Sequence, residues 1–459
     1  MKPSCALYQH DSGVLHAGWR VAAQEARARQ MTWPSPARGW ALVLLLLAAY
    51  ALAFIDRQIL ALLVEPVRRD LAISDTEFSL LAGVAFTLFY SIMGIPCAWL
   101  ADRGSRRNLV AASLTIWSAM TAACGFAGSF PALFLARVGV GVGEAGLSPA
   151  AYSMISDSFP PARRARPLGV YSIGAIAGVG LAFIVGGAVA QWAATAPPID
   201  LPVAGTLAGW QLAFLIVSVP GPLLALVLLA FREPARHEDL SVAGSPAPLF
   251  RSFLRERGKL FTLLAVGYSL IGVSLAAYLM WTPAFMVRRH GWDIAQVGVA
   301  YGTILLVCST SGILLGGWWA DRLLARGVRN AFLRVAIVGA LCSLPFAVAA
   351  PFAPTGGWAM ASLAAMALFY GLTQGMPAAS LQAIAPNRLR ARVMALYLLV
   401  ANLVAFTLGP TGVALISDYL LRDPAKIGIA IGALSALVVP LGALALFLAR
   451  PAYQAATSR

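Results

Sequence analysis

The chain has 459 residues, enough for two or three soluble domains, yet 59% of it is apolar, 12% is charged and its mean hydropathy is +0.77. That balance excludes an ordinary soluble fold and describes a membrane chain. The net charge of +15 would suit nucleic acid, but the basic residues sit between apolar stretches, which excludes that partner and answers to membrane topology instead.

In chain order, residues 1–38 carry charges and Pro/Ser breaks without an apolar core, so they read as a cytoplasmic tail and not as a cleaved leader. Apolar stretches able to cross about 30 Å of hydrocarbon as helices then recur near 39–67, 75–100, 108–127, 130–155, 167–192, 209–231, 259–286, 294–320, 331–350, 357–384, 392–420 and 426–449. The pattern predicts an all-α membrane protein of twelve transmembrane helices in two six-helix bundles, 39–231 and 259–450. A cytoplasmic linker over 232–258 joins them, and a short cytoplasmic tail follows at 451–459. The linker is the longest polar interruption, and its Glu233-Pro234 and Gly/Ser/Pro stretch break a helix. With both termini inside, 26 of the 34 Lys and Arg fall in cytoplasmic segments, 6 outside and 2 within spans, the positive-inside bias of a multi-pass inner-membrane protein.

The halves repeat one another. Leu100-Ala101-Asp102-Arg103 after span 2 returns as Trp319-Ala320-Asp321-Arg322 after span 8, 219 positions on. Arg164-Ala165-Arg166 before span 5 returns as Arg390-Ala391-Arg392 before span 11, 226 positions on, and Tyr171 or Tyr397 follows each. Parallel halves of this kind build one large class of secondary transporters, with substrate held between them near the midplane.

Only Asp56, Arg57, Arg137 and Glu144 place an ionisable group near mid-membrane, while Glu65, Asp157 and Asp418 lie toward span ends. A charge at the bilayer centre costs about 2.5–3.5 kcal/mol, so it faces the bundle interior and pairs. Arg137 and Glu144 share one face of span 4, which Ser148 continues. Neighbours Asp56 and Arg57 point about 100° apart, so at most one of them looks straight into a cavity, and Asp56 is the residue expected to do so. Two readings stand: a structural ion-pair network gluing spans 1 and 4, or a site that binds substrate and titrates. A proton path would use Asp56 and Glu144, because His10, His16, His237 and His290 all fall outside the spans. Tyr278, Trp281 and Thr282 on span 7, Gln374 on span 10 and Asn402 on span 11 are further cavity candidates, or else bond a neighbouring helix. The five cysteines show no ligand spacing, and neither a nucleotide-cradling loop nor a nucleophile and base at an interface appears. No metal, cofactor or enzymatic activity is expected.

The stretch Leu100-Ala101-Asp102-Arg103-Gly104-Ser105-Arg106-Arg107 resembles the loop motif of the major facilitator superfamily, with Ser105 where that motif usually has Gly. Asp56-Arg57, the run Ala136-Arg137-Val138-Gly139-Val140-Gly141-Val142-Gly143-Glu144-Ala145, then Ile155-Ser156-Asp157-Ser158-Phe159 and the Arg163, Arg164, Arg166 loop resemble its Spinster type. The resemblance is specific over the first half and mainly architectural over the second. It implies an alternating-access carrier, proton-motive or facilitative, for lysophospholipids, sphingosine phosphate or similar amphiphiles. It makes Asp56 and Glu144 the protonation sites, with Arg57 and Arg137 as partners and headgroup contacts. It makes Asp102 a cytoplasmic latch between the halves, unless Asp102 only caps its own loop. Arg103, Arg106 and Arg107 repeat the loop pattern, Asp321 is the second copy, and Arg392 or Arg166 is the bridge.

The expected partners are a small amphipathic or anionic substrate, protons and membrane lipids, and the expected state is a monomer. Competing readings are a carrier for a small soluble organic anion or drug, and a membrane enzyme or receptor that carries nothing. Sparse polar residues within the spans favour the amphiphile.

Overall fold

The computed structural model describes residues 33–197, 199–201, 205–236, 247–386 and 389–457. Most of the expected N-terminal tail and the middle of the linker, with Cys5, His10, His16 and His237, lie outside them. Twelve helices among the described residues are long and apolar enough to cross a membrane. They are α1 (Pro36–Leu62), α2 (Asp75–Arg103), α3 (Arg106–Gly125), α4 (Phe130–Ser156), α5 (Ala165–Thr195), α6 (Gly209–Ala230), α7 (Phe250–His290), α8 (Ile294–Ala325), α9 (Ala331–Phe352), α10 (Gly356–Ile384), α11 (Arg392–Leu421) and α12 (Pro424–Thr457). Even parity brings Pro36 and Thr457 to one end of the bundle, the terminal end; the opposite end is the far end.

Local chemistry explains several starts. Ser74 and Glu77 cap α2 reciprocally, Glu77 accepting from the Ser74 backbone N–H at 2.8 Å and its own N–H donating back to Ser74 Oγ at 3.1 Å. Ser105, Ser129 and Thr355 cap α3, α4 and α10 with their side-chain oxygens.

Within the N-terminal half α1 packs along α5, and within the C-terminal half α7 packs along α11 and α12. The halves meet through α5 on α8 and α2 on α11. Glycine makes the first of these contacts possible: a Cβ on Gly180 would lie 2.8 Å from the Gly302 carbonyl oxygen, and one on Gly302 would lie 2.5 Å from that of Gly180.

Helix α12 runs on to Thr457, past the expected end at 449, and three further departures bear on how the halves are joined. The first span ends at Leu62 and a separate short helix, Val64–Leu71, carries Glu65, because the stretch after Leu63 turns amphipathic and runs along the far end. Helix α7 begins well before residue 259: its first turns bury Phe253, and Arg257 Nη1 donates to the Ile384 carbonyl at 2.7 Å, docking the end of the linker onto α10. A small antiparallel hairpin, Ile199–Leu201 with Gly205–Leu207, joins α5 to α6.

The internal repeat extends to backbone defects. A π-helical turn over Val84–Leu88 in α2 has its counterpart over Leu305–Ser309 in α8, 221 positions on. Such turns widen a helix locally and cluster at functional sites.

Candidate functional site

The four mid-membrane charges converge in the N-terminal half. Arg57 Nη2 on α1 pairs with Glu144 Oε1 on α4. The same guanidinium stands 5.3, 4.9 and 4.7 Å from the ring centres of Phe54, Phe86 and Tyr90, so an aromatic box on α1 and α2 holds its plane. Arg137 Nη1 donates to the Asp56 carbonyl oxygen at 3.3 Å, and its guanidinium lies 5.4 Å from the Phe86 centroid. Asp56, Arg137 and Glu144 are buried to about 2% exposure or less. The glycines of α4 permit this gathering: a Cβ on Gly141 would meet the Phe86 carbonyl oxygen at 2.6 Å, and one on Gly143 the Trp117 nitrogen at 2.6 Å.

The expectation that Asp56 faces the cavity is corrected. The Arg57 side chain keeps 24% of its surface, while Asp56 turns back toward Trp117 and Thr121 of α3. The 100° between neighbours decides this: with Arg57 drawn to Glu144 and the α2 rings, Asp56 must face the next helix. Asp56 Oδ1, Arg57 Nε, Arg137 Nε and Glu144 Oε2 are buried without a hydrogen-bond partner. Uncompensated polar atoms in a low-dielectric interior are costly unless a proton or ligand group answers them.

Ser148 is half-buried one turn beyond Glu144. Beyond it, the Tyr171 ring stacks on Tyr50 at 5.0 Å and meets Tyr152 edge-on at 5.1 Å, an aromatic wall toward the terminal end.

The C-terminal half answers with neutral groups. Helix α10 breaks at Gly375 with φ −80° and ψ −17°, the same backbone as the α4 break at Gly146, 229 positions earlier. Counted back from the two breaks, Thr373 holds the place that Glu144 holds in the first half, and Gln374 follows it where the first half has Ala145. Gln374 and Asn402 line a cavity of about 280 Å³ between α7, α10 and α11. Tyr278 and Trp281 do not line it. The Tyr278 hydroxyl donates to the Ala347 carbonyl of α9, and Trp281 Nε1 donates to the Pro410 carbonyl at 2.9 Å. Both rings, with Thr282, are buried inside the bundle, because a carbonyl on a neighbouring helix already satisfies the polar tip of each ring.

Polar ties between the halves gather at the far end. Arg288 of α7 grips Asp75, the first residue of α2, through Nη1 and Nη2 at 2.8 Å each, and Glu65 through Nε at 2.6 Å. Arg68 Nε reaches Asp75 at 3.0 Å. Asp418 of α11 accepts both the N–H and the hydroxyl of Thr76 at 2.7 Å, capping α2 from the other half. Asp75 is wholly buried in this lock. Sequence reasoning missed it, because charges at span boundaries are ordinary by composition; the one local signal was Ser74-Asp75-Thr76-Glu77, which reads only as a helix start.

Residues 46–410 match the family model for the Major Facilitator Superfamily. The chain is a member of that superfamily. It is 31% identical to an MFS-type efflux pump of Mycolicibacterium smegmatis over 91% of this chain and 94% of that one. It is 29% identical to a probable L-galactonate transporter of Escherichia coli over 71% and 72%. Among solved structures it is similar to a bacterial homolog of the human lysosomal transporter Spinster, captured inward-facing and occupied. The TM-score there is 0.77 with 27% identity, over 91% of this chain and 98% of that one. The facilitator fold and the Spinster resemblance of the first half thus stand together.

In this facilitator the superfamily loop between α2 and α3 is tied to its own half. Buried Arg106 binds Asp157, Ser153 Oγ at 2.9 Å, Glu233 at 3.1 Å and the Pro234 carbonyl at 2.7 Å. Arg107 Nη1 donates to the Leu229 and Phe231 carbonyls at 3.2 Å each. Arg106 and Arg107, expected in the gate, are thus corrected to struts of the first bundle, since acceptors on α4 and after α6 lie nearer than any on the second half. Arg236 covers the end of α2 by donating to the carbonyls of Ala101, Asp102 and Gly104. Burial pushes the Glu233 carboxyl up, but hydrogen bonds from Ser105 and Arg106 hold it below its ordinary range. Asp102, Arg103, Arg166, Asp321 and Arg392 all lie at the terminal end, and Asp102, Arg103, Arg166 and Asp321 are exposed there. Arg103 stacks on Trp99 at 4.3 Å and Arg322 on Trp318 at 4.2 Å, the repeat again at 219 positions.

Proposed function

We propose that this facilitator is a secondary active carrier that moves an anionic amphiphile, of lysolipid or sphingosine-phosphate type, across the inner membrane by alternating access linked to protons. Both termini face the cytoplasm in this reading, so the far-end lock is the outer gate and the conformation is inward-facing. The observation that carries it is Arg57: a guanidinium held by aromatic rings, paired with buried Glu144, and the one charge of the cluster with exposed surface. A proton on Glu144 frees Arg57 for a phosphate or carboxylate, and loss of that proton restores the pair and releases the anion. Asp56 is the second proton site and Arg137 its counter-charge. Asp102 latches against Arg392 or Arg166 when the terminal end closes.

The test is flux in liposomes holding the purified protein, with lysolipids and organic anions offered at two pH values. Asp56→Asn and Glu144→Gln are expected to abolish the pH dependence and lower flux about a hundredfold or more. Unchanged pH dependence in both variants would reject proton coupling through this cluster.

A second reading, a small soluble organic anion as cargo, draws support from the E. coli relative named a probable L-galactonate transporter. Flux of a sugar acid without flux of any lysolipid would decide for it.

A further inference from the structure

Asp56 turns its carboxylate to α3, where Trp117, Thr121 and Cys124 follow one another at helical spacing and share a wholly buried face. That face is its nearest source of hydrogen bonds, because Arg137 does not supply one. Arg137 Nη1 goes to the Asp56 backbone carbonyl at 3.3 Å, and Arg137 Nε, like Asp56 Oδ1, is buried without a hydrogen-bond partner. No ion pair among the described residues includes Asp56.

Thr121 departs from the usual behaviour of a helical hydroxyl. Thr115 on the same helix donates to the Ala111 carbonyl at 2.9 Å, and Ser172 on α5 donates to that of Leu168 at 2.8 Å, the ordinary bond to the carbonyl four residues back. Thr121 Oγ1 makes no such bond to Trp117 and is buried without any partner. An unused donor and an unused carboxylate oxygen thus lie side by side in a low-dielectric interior, where each alone is costly.

We infer that Thr121 is a positioning residue for proton loading: its hydroxyl donates to the ionised Asp56 carboxylate and holds it on α3, apart from the Arg57–Glu144 pair. This rests on the proton-linked reading above. When Asp56 takes up a proton, its own O–H donates to Thr121 Oγ1, and the Thr121 proton turns to the Trp117 carbonyl. The hydroxyl serves both states, but its bond to the charged one is the stronger. The two acids are thereby kept on separate partners, Glu144 on Arg57 and Asp56 on α3. The other ionisable groups about Asp56 are Arg137 and Glu144 of α4, Cys124 of α3 and its own neighbour Arg57. Helix α2 brings Tyr90 to the Arg57 side, α5 brings Tyr171 and, at its first turn, Arg166, and α6 carries no Asp, Glu, Lys, Arg, His, Cys or Tyr.

The experiment is a pH titration of the purified full-length protein in lipid membranes by infrared difference spectroscopy, which needs no cargo. The carboxyl band lost in Asp56→Asn identifies the Asp56 signal. Thr121→Val keeps the shape of the side chain without its hydroxyl, and it is expected to raise the midpoint of that band by about one pH unit. Thr121→Ser keeps the hydroxyl and is expected to stay within about 0.3 unit of wild type. Should Thr121→Val not give a single gel-filtration peak, Thr121→Ala is the second hydroxyl-free variant, with the same shift expected. An unmoved midpoint without the hydroxyl would overturn the inference, and so would a shift as large in Thr121→Ser as in Thr121→Val, which assigns the effect to packing. If the band moves with Thr121 while wild-type flux in the liposome assay above ignores pH, the positioning role stands and the proton-linked carrier falls. If Asp56→Asn removes no titrating band, the two fall together.

Discussion

The two halves share helix order, loop motif, π-helical turns and a broken helix, yet they differ in the chemistry placed on that frame. In the first half α1 and α4 carry Asp56, Arg57, Arg137 and Glu144, all in contact with one another or with shared aromatic rings. In the second the equivalent break on α10 carries Gln374, and the cavity beside it is neutral. A duplicated fold has thus kept the mechanics in both copies and confined mid-membrane charge to one. The physical reason for confinement is cost: each buried charge needs a counter-charge or hydrogen bonds, and one cluster can share them where two would double the penalty.

The strongest way to break this comparison is to cut the far-end lock, where the charged half is clamped to the other. Asp75→Asn leaves Arg68 and Arg288 without their shared buried carboxylate, a loss of about 2–3 kcal/mol, or about 30- to 160-fold in the closed-to-open ratio. Maleimide labelling of a cysteine introduced at Ser417 should rise accordingly; unaltered labelling would show that the lock does not hold the gate. An intermediate effect is expected from Gln374→Glu, which puts an acid on the wall of the neutral cavity. Anion flux should fall about tenfold at neutral pH and recover in acid as the new carboxyl protonates; flux indifferent to pH would mean that the neutrality of the second half is incidental.

The smallest effect concerns the strap after α6, the stretch 231–236 whose Glu233 and Arg236 tie it to the start of α3 and the end of α2. Glu233 is held below its ordinary range when folded, so its contribution is present above the unfolded value and is lost as pH falls through the folded one. Wild-type protein should therefore lose a degree or two of melting temperature more than Glu233→Gln on moving from about pH 6 to about pH 3. Parallel melting curves for the two proteins would assign the stability of the strap to Arg236 and its backbone acceptors alone.

Much of this molecule is readable along the chain. Twelve apolar stretches, the basic loops and the 219-position echo of Asp102 in Asp321 are local or periodic signals, and each maps onto an element in space. The charged cluster was legible too, since burying Arg137 and Glu144 two turns apart on one face demands partners that only α1 carries. Its orientation was not. Asp56 and Arg57 are neighbours, and which of them meets Glu144 depends on rings that α2 contributes from elsewhere. Tyr278 and Trp281 were misplaced for the same reason, as periodicity gives depth in the membrane without saying which carbonyl a polar tip will find. Arg106 looked like a gate residue because its acceptors, Asp157 and Glu233, are 51 and 127 positions away.

The sequence by itself determined that the chain crosses a membrane many times, repeats itself once and keeps its mid-membrane charge in the first half, because hydropathy, period and charge are properties of segments. Only the tertiary structure decided that Arg57 faces accessible space, that Asp75 seals the far end between two arginines, and that a neutral cavity stands beside the charged one. Those outcomes depend on side chains from distant helices competing for the same few partners, and that competition exists only once the helices are packed.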